Sequence, residues 1–435
     1  MMGGRPLPRD DDGCGWWRLL PPQAPARRLE AELTADCVVI GAGFTGLATA
    51  WQLARRKPDW RIVVVEAQRA GFSASGRNSG FAGALSHRDP DLDLEGTRRV
   101  MRLCRAGIEW LSSRVEEHRI DCDWTACGRI HAGVEAHALH NLEGLLRLLD
   151  ASAQPYDAMS RSDLAAAIGT DHYRAAVHIK DTVLLQPAAL ARGLASNLPP
   201  NVELFEESPV EAMERREAWH LRTSRGTVRA GKVFLTVNGF APALGLLKRR
   251  VFPLFTFASL TRTLDPDEQA KVGSWDQWGL VSEYRAGATL RRTRDQRLLV
   301  RSCLRYAPAL RVPDRARERI RRAHRRALLA RWPALEGVEF EFTWGGVMGM
   351  TLNQGLFFGS LDHELYASGG YNGTGVALGT ACGRLLADYA LGADSPLLRD
   401  ARSLPRPSWL PPEPLLGLGV RPTIAFYRSR AGAEG

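Results

Sequence analysis

No stretch of this chain approaches the ~20 consecutive apolar residues of a membrane-spanning helix. The opening residues, Met1-Met2-Gly3-Gly4-Arg5-Pro6 running into Asp10-Asp11-Asp12, lack the apolar stretch of ~7 to 15 residues that a secretory leader needs, so a cytoplasmic location is expected. Cysteine is sparse: seven are scattered through 435 residues. Cys122 and Cys127 have no second pair and no histidines at zinc spacing, so reduced thiols and no metal are expected. Lysine occurs only at 57, 180, 232, 248 and 271. Arginine therefore carries nearly all the positive charge, a skew that a GC-rich coding genome produces without any polyanionic partner. The densest run, Arg315 to Arg326, places Ile320, Ala323, Ala327 and Leu328 at helical spacing and has no interleaved aromatic residue. It reads as a solvated helix face and not as a nucleic-acid track. Despite a formal net charge of +10, no nucleic-acid partner is expected.

What is present is a chain with 45% hydrophobic and 24% charged residues, long enough for two domains that share one cleft. Its most informative run is Ala35-Asp36-Cys37-Val38-Val39-Ile40-Gly41-Ala42-Gly43-Phe44-Thr45-Gly46, followed by a second apolar run that closes on Glu66. The order is strand, glycine turn, helix and strand, as a dinucleotide-binding βαβ unit requires. Gly41 permits the turn, Gly43 lets the backbone approach a pyrophosphate, and Gly46 lets the helix lie on the strand. The helix N-terminus offers unpaired N–H groups to the phosphates. Glu66 stands where a carboxylate takes ribose hydroxyls, which favours FAD or NAD over NADP. The small-residue loop Ala70 to Phe81 then favours FAD, because an NAD enzyme would continue into a third wound strand. Near the C-terminus, Leu365 to Val376 opens a helix expected to reach Ala390, a second helix N-terminus suited to the N1–C2=O edge of a reduced flavin.

These features predict an α/β chain, α+β overall, with a Rossmann-like FAD-binding domain and an interleaved antiparallel-sheet substrate domain. The cofactor domain is expected to take 34–85, 184–245 and 343–392, and the substrate domain 86–183 and 246–342. Residues 1–33 form an N-terminal extension. A helix is expected over Leu94 to His118, a strand over Gly128 to Val134, a helix through Leu142 to Leu149, and β-like runs at 251–263, 289–292 and 297–304. The tail, 393–435, has Pro396, Pro405, Pro407, Pro411, Pro412 and Pro414 and is expected to be an irregular strap.

The motifs at Asp36–Ala50, Ala74–Gly80, Ile120–Asp123, Gln186–Ala195, Ser208-Pro209-Val210, Val233–Pro242, Trp344-Gly345-Gly346 and Gly369–Leu378 resemble the FAD-dependent amine and amino-acid oxidase superfamily. That family includes D-amino-acid oxidase, glycine oxidase and monomeric sarcosine oxidase, and the resemblance is nearest to its gamma-glutamylputrescine oxidase-like branch. It implies that Ala42, Thr45, Ser75, Arg77, Asn78, Gly80, Val210, Asn238, Gly239, Gly370, Gly373 and Thr374 join Gly41, Gly43, Gly46 and Glu66 around the cofactor. It also places Arg77, Trp344 and Tyr371 by the flavin or substrate, and Arg292 on the covering sheet. There Arg292 either clamps a substrate carboxylate or makes an interdomain ion pair. His87, His131 and His363 are expected to be structural or solvent-facing. Met348 stands where sarcosine oxidase attaches its flavin through cysteine, so the FAD is expected to be non-covalent. Leu299 stands where those relatives carry a lysine that assists the reaction with oxygen.

The expected reaction is oxidation of a primary or secondary amine, an amino acid or a glutamylated polyamine to an imine, by hydride transfer to flavin N5 with O2 as acceptor. One alternative passes the electrons to a quinone or carrier protein. Another is a tRNA-base-modifying flavoenzyme, against which the missing second catalytic domain and aromatic-basic track both argue.

Overall fold

The computed structural model describes residues 10, 13–85, 93–310 and 312–435; His87 lies outside the described residues. Two eight-stranded sheets organise the chain, with a two-stranded ribbon of Phe81–Gly83 and Thr182–Leu184 beside them. In the first sheet Leu365–Gly369, Thr227–Leu235, Glu32–Ile40, Ile62–Val65 and Val202–Phe205 run parallel in that spatial order. Ile62–Val65 is β-branched throughout and buried at every position, as a strand covered on both faces must be.

The Phe44–Arg56 and Ala377–Ala390 helices cover one face, where Leu47, Leu53, Val64, Phe234 and Leu386 share a core. Glycines allow both close approaches. A Cβ at Gly46 would stand 1.8 Å from the Gly41 carbonyl at the strand end, and one at Gly383 would stand 2.2 Å from the Thr45 carbonyl, where the two helices meet. The helix Leu94–His118 forms over the expected span; Asp93 caps it by accepting from Gly96 N at 2.6 Å. The second helix of that insertion is longer than expected, Ala136–Ala151.

The second sheet follows the order Phe340–Met350, Phe252–Thr261, Leu298–Tyr306, Thr289–Arg292, Trp278–Ser282, Arg129–Gly133, Ala175–Ile179, Tyr156–Met159. It is antiparallel except between Trp278–Ser282 and Arg129–Gly133. Phe340–Met350 pairs along its length with Phe252–Thr261, so residues 343–350 belong to this sheet and not to the cofactor sheet as their sequence position had implied. The arginine-rich helix spans Asp314–Arg331 and turns Ile320, His324, Ala327, Leu328 and Arg331 inward.

The tail departs in part from the expected irregular strap: residues 405–412, with Pro405, Pro407, Pro411 and Pro412, have no regular structure, but two helices flank them. Pro396 opens Pro396–Ser403 behind a Ser395 cap, and Pro414 immediately precedes Leu415–Ser429, which holds Pro422 within it. A proline at the first helical position loses no hydrogen bond, because that N–H would have no intrahelical partner. Beyond them Glu434 is wholly buried. Its carboxylate accepts from Val134 N at 2.6 Å, Glu135 N at 3.0 Å and the Ser282 hydroxyl at 2.6 Å.

Replacing Glu434 with alanine strands three donors, each worth ~1–3 kcal/mol when buried and unsatisfied. E434A is expected to lower the thermal midpoint by several degrees. Calorimetry checks this, and an unchanged midpoint would show that the tail does not hold the second sheet.

Candidate functional site

The first sheet ends its strand Glu32–Ile40 at Gly41, whose φ of 100° no side-chain-bearing residue adopts readily. The chain turns there and enters the Phe44–Arg56 helix, which has no acid in its first turn and no side-chain cap on Gly43. Ser75 bridges the helix start by accepting from Phe44 N at 3.0 Å, and a Cβ on Gly43 would come within 2.7 Å of the same hydroxyl. Glu66 accepts from Ala42 N at 2.7 Å and from Gln68 N at 2.9 Å. Burial pushes its carboxyl above the usual range, and those N–H groups oppose the shift.

A cavity of about 970 Å³ joins this end to the second sheet. That is near the upper limit of ~300–1,000 Å³ for small-molecule and cofactor sites. Gly41, Gly43, Thr45, Glu66, Ser75, Arg77, Asn78, Val210, Asn238, Gly239, Tyr371, Gly373 and Thr374 all line it. The Ala377–Ala390 helix begins there with neither an acidic residue nor a side-chain cap at its N-terminus. The lining therefore fits FAD: two helix starts, the Glu66 carboxylate at the end of the second strand and a small-residue wall.

Four expected cofactor residues shape the wall from behind. Ala42 lends its N–H to Glu66, Gly46 gives the helix its approach, and Gly370 donates its N–H to Asn238 Oδ1 at 2.9 Å. A Cβ on Gly80 would stand 2.1 Å from the Leu185 carbonyl.

The expected catalytic residues divide more sharply. Arg77 lines the cavity, but its guanidinium is directed to backbone, donating to Phe72 O and Gly345 O at 3.0 Å each. Tyr371 lines it with its hydroxyl held between Thr45 Oγ1 at 3.1 Å and Ser368 Oγ at 2.9 Å, and burial raises its pKa. Trp344 is not at the cavity. It is fully buried, donating its indole N–H to Arg77 O at 3.0 Å and meeting Trp16 edge-on at 6.1 Å.

Arg292 is not at the cavity either, because its strand turns it to the opposite face, where it is buried against Gln296 Oε1 at 2.7 Å and the Gly273 and Trp275 carbonyls. Of the expected structural histidines, His363 is exposed, whereas His131 is buried against Glu283.

The residue that sequence reasoning missed is Arg301. It lines the cavity, and among the described residues no carboxylate lies within ion-pair distance; its one hydrogen-bond contact is Nη2 to Met348 Sδ at 3.9 Å. Burial draws its guanidinium down to about 10. Leu299 packs instead with Cys14, Trp16 and Trp344. Strand alternation was the available signal: 301 shares a face with 299 one pleat along.

Below Arg301 lies His324, fully buried, with Nδ1 at 2.7 Å from Ser259 Oγ and no partner on Nε2 among the described residues. Burial and the Arg301 charge bring its pKa from 6.5 down to about 3. The unfolded chain therefore binds the extra proton first, and this part of the stability is complete above about 6.5 and lost as pH falls toward 3. H324N, which keeps an acceptor for Ser259, is expected to flatten the pH dependence of unfolding between those limits by up to ~1.4 kcal/mol per pH unit. Denaturant titrations at several pH values test it; parallel curves would show that His324 is not held neutral.

Residues 36–389 match the family model described as FAD dependent oxidoreductase. The chain is 28% identical over 391 residues to the probable oxidoreductase OrdL of Haemophilus influenzae, covering 83% of this chain and 84% of that protein. It is 29% identical over 395 residues to gamma-glutamylputrescine oxidoreductase of Escherichia coli, covering 85% and 86%. Among solved structures, glycine oxidase from Geobacillus kaustophilus superposes with a TM-score of 0.72 at 19% identity, covering 84% of this chain and 96% of the other. The cavity, its glycine turn and the span of the family match agree, and this chain belongs to the FAD-dependent oxidoreductase family.

Proposed function

We propose that the chain oxidises the C–N bond of a carboxylate-bearing amine or amino acid to an imine, which water then hydrolyses. The names of the similar proteins, gamma-glutamylputrescine oxidoreductase and glycine oxidase, support the amine class. The observation that carries the reading is Arg301, a half-buried guanidinium that lines the cavity with no carboxylate of its own chain within ion-pair distance among the described residues. FAD, when bound, supplies the acceptor for the hydride that leaves the substrate carbon.

The chain's own contribution is placement. Arg301 holds the carboxylate bidentately, which fixes the amine-bearing carbon against the cavity wall. Thr45 and Ser368 fix the Tyr371 hydroxyl, so the ring presents a rigid wall. The Ala377–Ala390 helix start stabilises negative charge that develops on the cofactor, an effect of up to ~2 kcal/mol.

Oxygen is the acceptor in this reading, with Arg301 the nearby positive charge in place of the absent lysine. A quinone or carrier is the alternative, and turnover with a redox dye under air and under argon separates the two. Location in the cytoplasm is part of the same reading, supported by the sparse, scattered cysteines of the sequence.

R301L is expected to lower kcat/KM for a carboxylate-bearing amine by about two orders of magnitude, the equivalent of ~3 kcal/mol for a charge-assisted hydrogen-bonded pair. A neutral amine should lose little. Equal losses for both substrates would remove Arg301 from substrate recognition. A bulky side chain at Gly43, as in G43V, is expected to abolish flavin retention, because Ser75 already closes that gap. Acid precipitation of the wild type should leave all flavin in the supernatant, since Met348 offers no thiol for attachment. Flavin retained in the washed precipitate would contradict the non-covalent site.

A further inference from the structure

The segment Leu415–Ser429 reads Leu-Leu-Gly-Leu-Gly-Val-Arg-Pro-Thr-Ile-Ala-Phe-Tyr-Arg-Ser, with apolar residues on every side of the helix and no acid anywhere in it. At 100° per residue, Leu416, Val420 and Ile424 fall on one face, and they pack on Phe252, Leu254, Tyr306 and Leu410. Tyr427 continues that face against Tyr284, ring centroids 6.2 Å apart. The opposite face consists of Leu415, Leu418, Pro422, Ala425 and Phe426. Leu418 is 66% exposed, Leu415 58% and Phe426 54%. Trp409, just before the helix, is 60% exposed, with the Arg250 guanidinium 4.1 Å from its ring centroid. An apolar helix on a protein surface with both faces apolar is a helix with one partner missing.

The charges around this face say which partner fits. Arg421, Arg428 and Arg430 border it, and Arg430 stacks on Phe426 at 5.5 Å. The acid just ahead of the helix, Glu413, accepts from the Tyr306 hydroxyl and from Gly417 N. A second copy docking about a twofold axis would bring two sets of these arginines into one interface with no acid of either helix to offset them. An anionic bilayer surface has no such conflict. Leucine and phenylalanine enter the boundary of the acyl region, while the arginines reach the headgroup phosphates. We propose that the Leu415–Ser429 helix seats the enzyme on an anionic membrane surface, lying in the interface without crossing it. The proposal is independent of the reaction assigned above.

The test is co-sedimentation of the FAD-loaded enzyme with phosphatidylcholine vesicles, with and without phosphatidylglycerol. The expected result is sedimentation only with the anionic vesicles, weakening as salt is raised. L418E/F426E should remain in the supernatant while keeping the wild-type flavin spectrum and amine turnover. R428Q/R430Q should partition roughly 25-fold less, about fivefold for each arginine near a charged surface. If the double glutamate variant fails to accumulate, the glutamine pair decides alone. A wild-type enzyme that ignores anionic vesicles, or variants that sediment like it, overturns the proposal. So does a wild-type dimer that L418E/F426E splits in sedimentation velocity, which would make a second copy the occupant.

Discussion

The two sheets share no strand, so the geometry of the cavity between them depends on how the loop at residues 73–80 is gripped. Arg77 reaches across to the Gly345 carbonyl while the Trp344 indole returns a hydrogen bond to Arg77 O, both at 3.0 Å. From the same side Arg291 donates to Leu185 O at 2.6 Å and to Ser79 O at 3.2 Å. The Trp16 indole, from the N-terminal segment, donates to Asn78 O at 2.8 Å. All these donors are buried, where a hydrogen bond is electrostatically stronger and a missing one costs more than in water. Arg291 is fully buried with Nε and Nη2 unpartnered among the described residues, its guanidinium 5.3 Å from the Trp16 ring centroid. Such a cation is tolerated because the aromatic face and several carbonyls share the charge.

The grip explains why the site is composed as it is. The parallel strands deliver the glycine turn and Glu66 at their carboxyl ends, the place where open α/β sheets bind ligands. The second sheet contributes Arg301 and Met348, the latter from the Phe340–Met350 strand to which the 73–80 segment is fixed. Arg77 and Trp344 thus act on placement, one from the cavity wall and one from behind it.

The cofactor half of the site was legible because its signals are local. Gly41, Gly43, Gly46 and Glu66 lie within one βαβ unit, and the spacing alone carries the meaning. The other half depends on strand parity and on contacts distant in sequence. Arg291, Arg292 and Arg301 are chemically alike; the pleat turns Arg292 to the other face, whereas the register that pairs Thr289 with Arg301 and Arg291 with Leu299 puts Arg291 and Arg301 on one face, where position along the sheet brings only Arg301 of the two to the cavity. The indole of Trp344 is committed to Arg77, 267 positions away, which no local pattern reveals. The tail's two helices are hidden in its proline content, because the effect of proline depends on its position and Pro396 and Pro414 stand at helix starts.

The burial of Glu434 bears on how the chain is made. The residues it holds, Val134, Glu135 and Ser282, emerge from the ribosome long before it does. Trp16, near the other end, is buried against Trp344. The parallel sheet likewise cannot close until Leu365–Gly369 has been synthesised. Neither sheet can therefore finish during translation of the first three hundred or so residues, and high sequence separation of this kind slows folding and leaves strand edges open meanwhile. A vectorial, domain-by-domain route is closed to this architecture; the nascent chain must wait, with its apolar strands protected by other means, until Leu365–Gly369 and then Glu434 have been made.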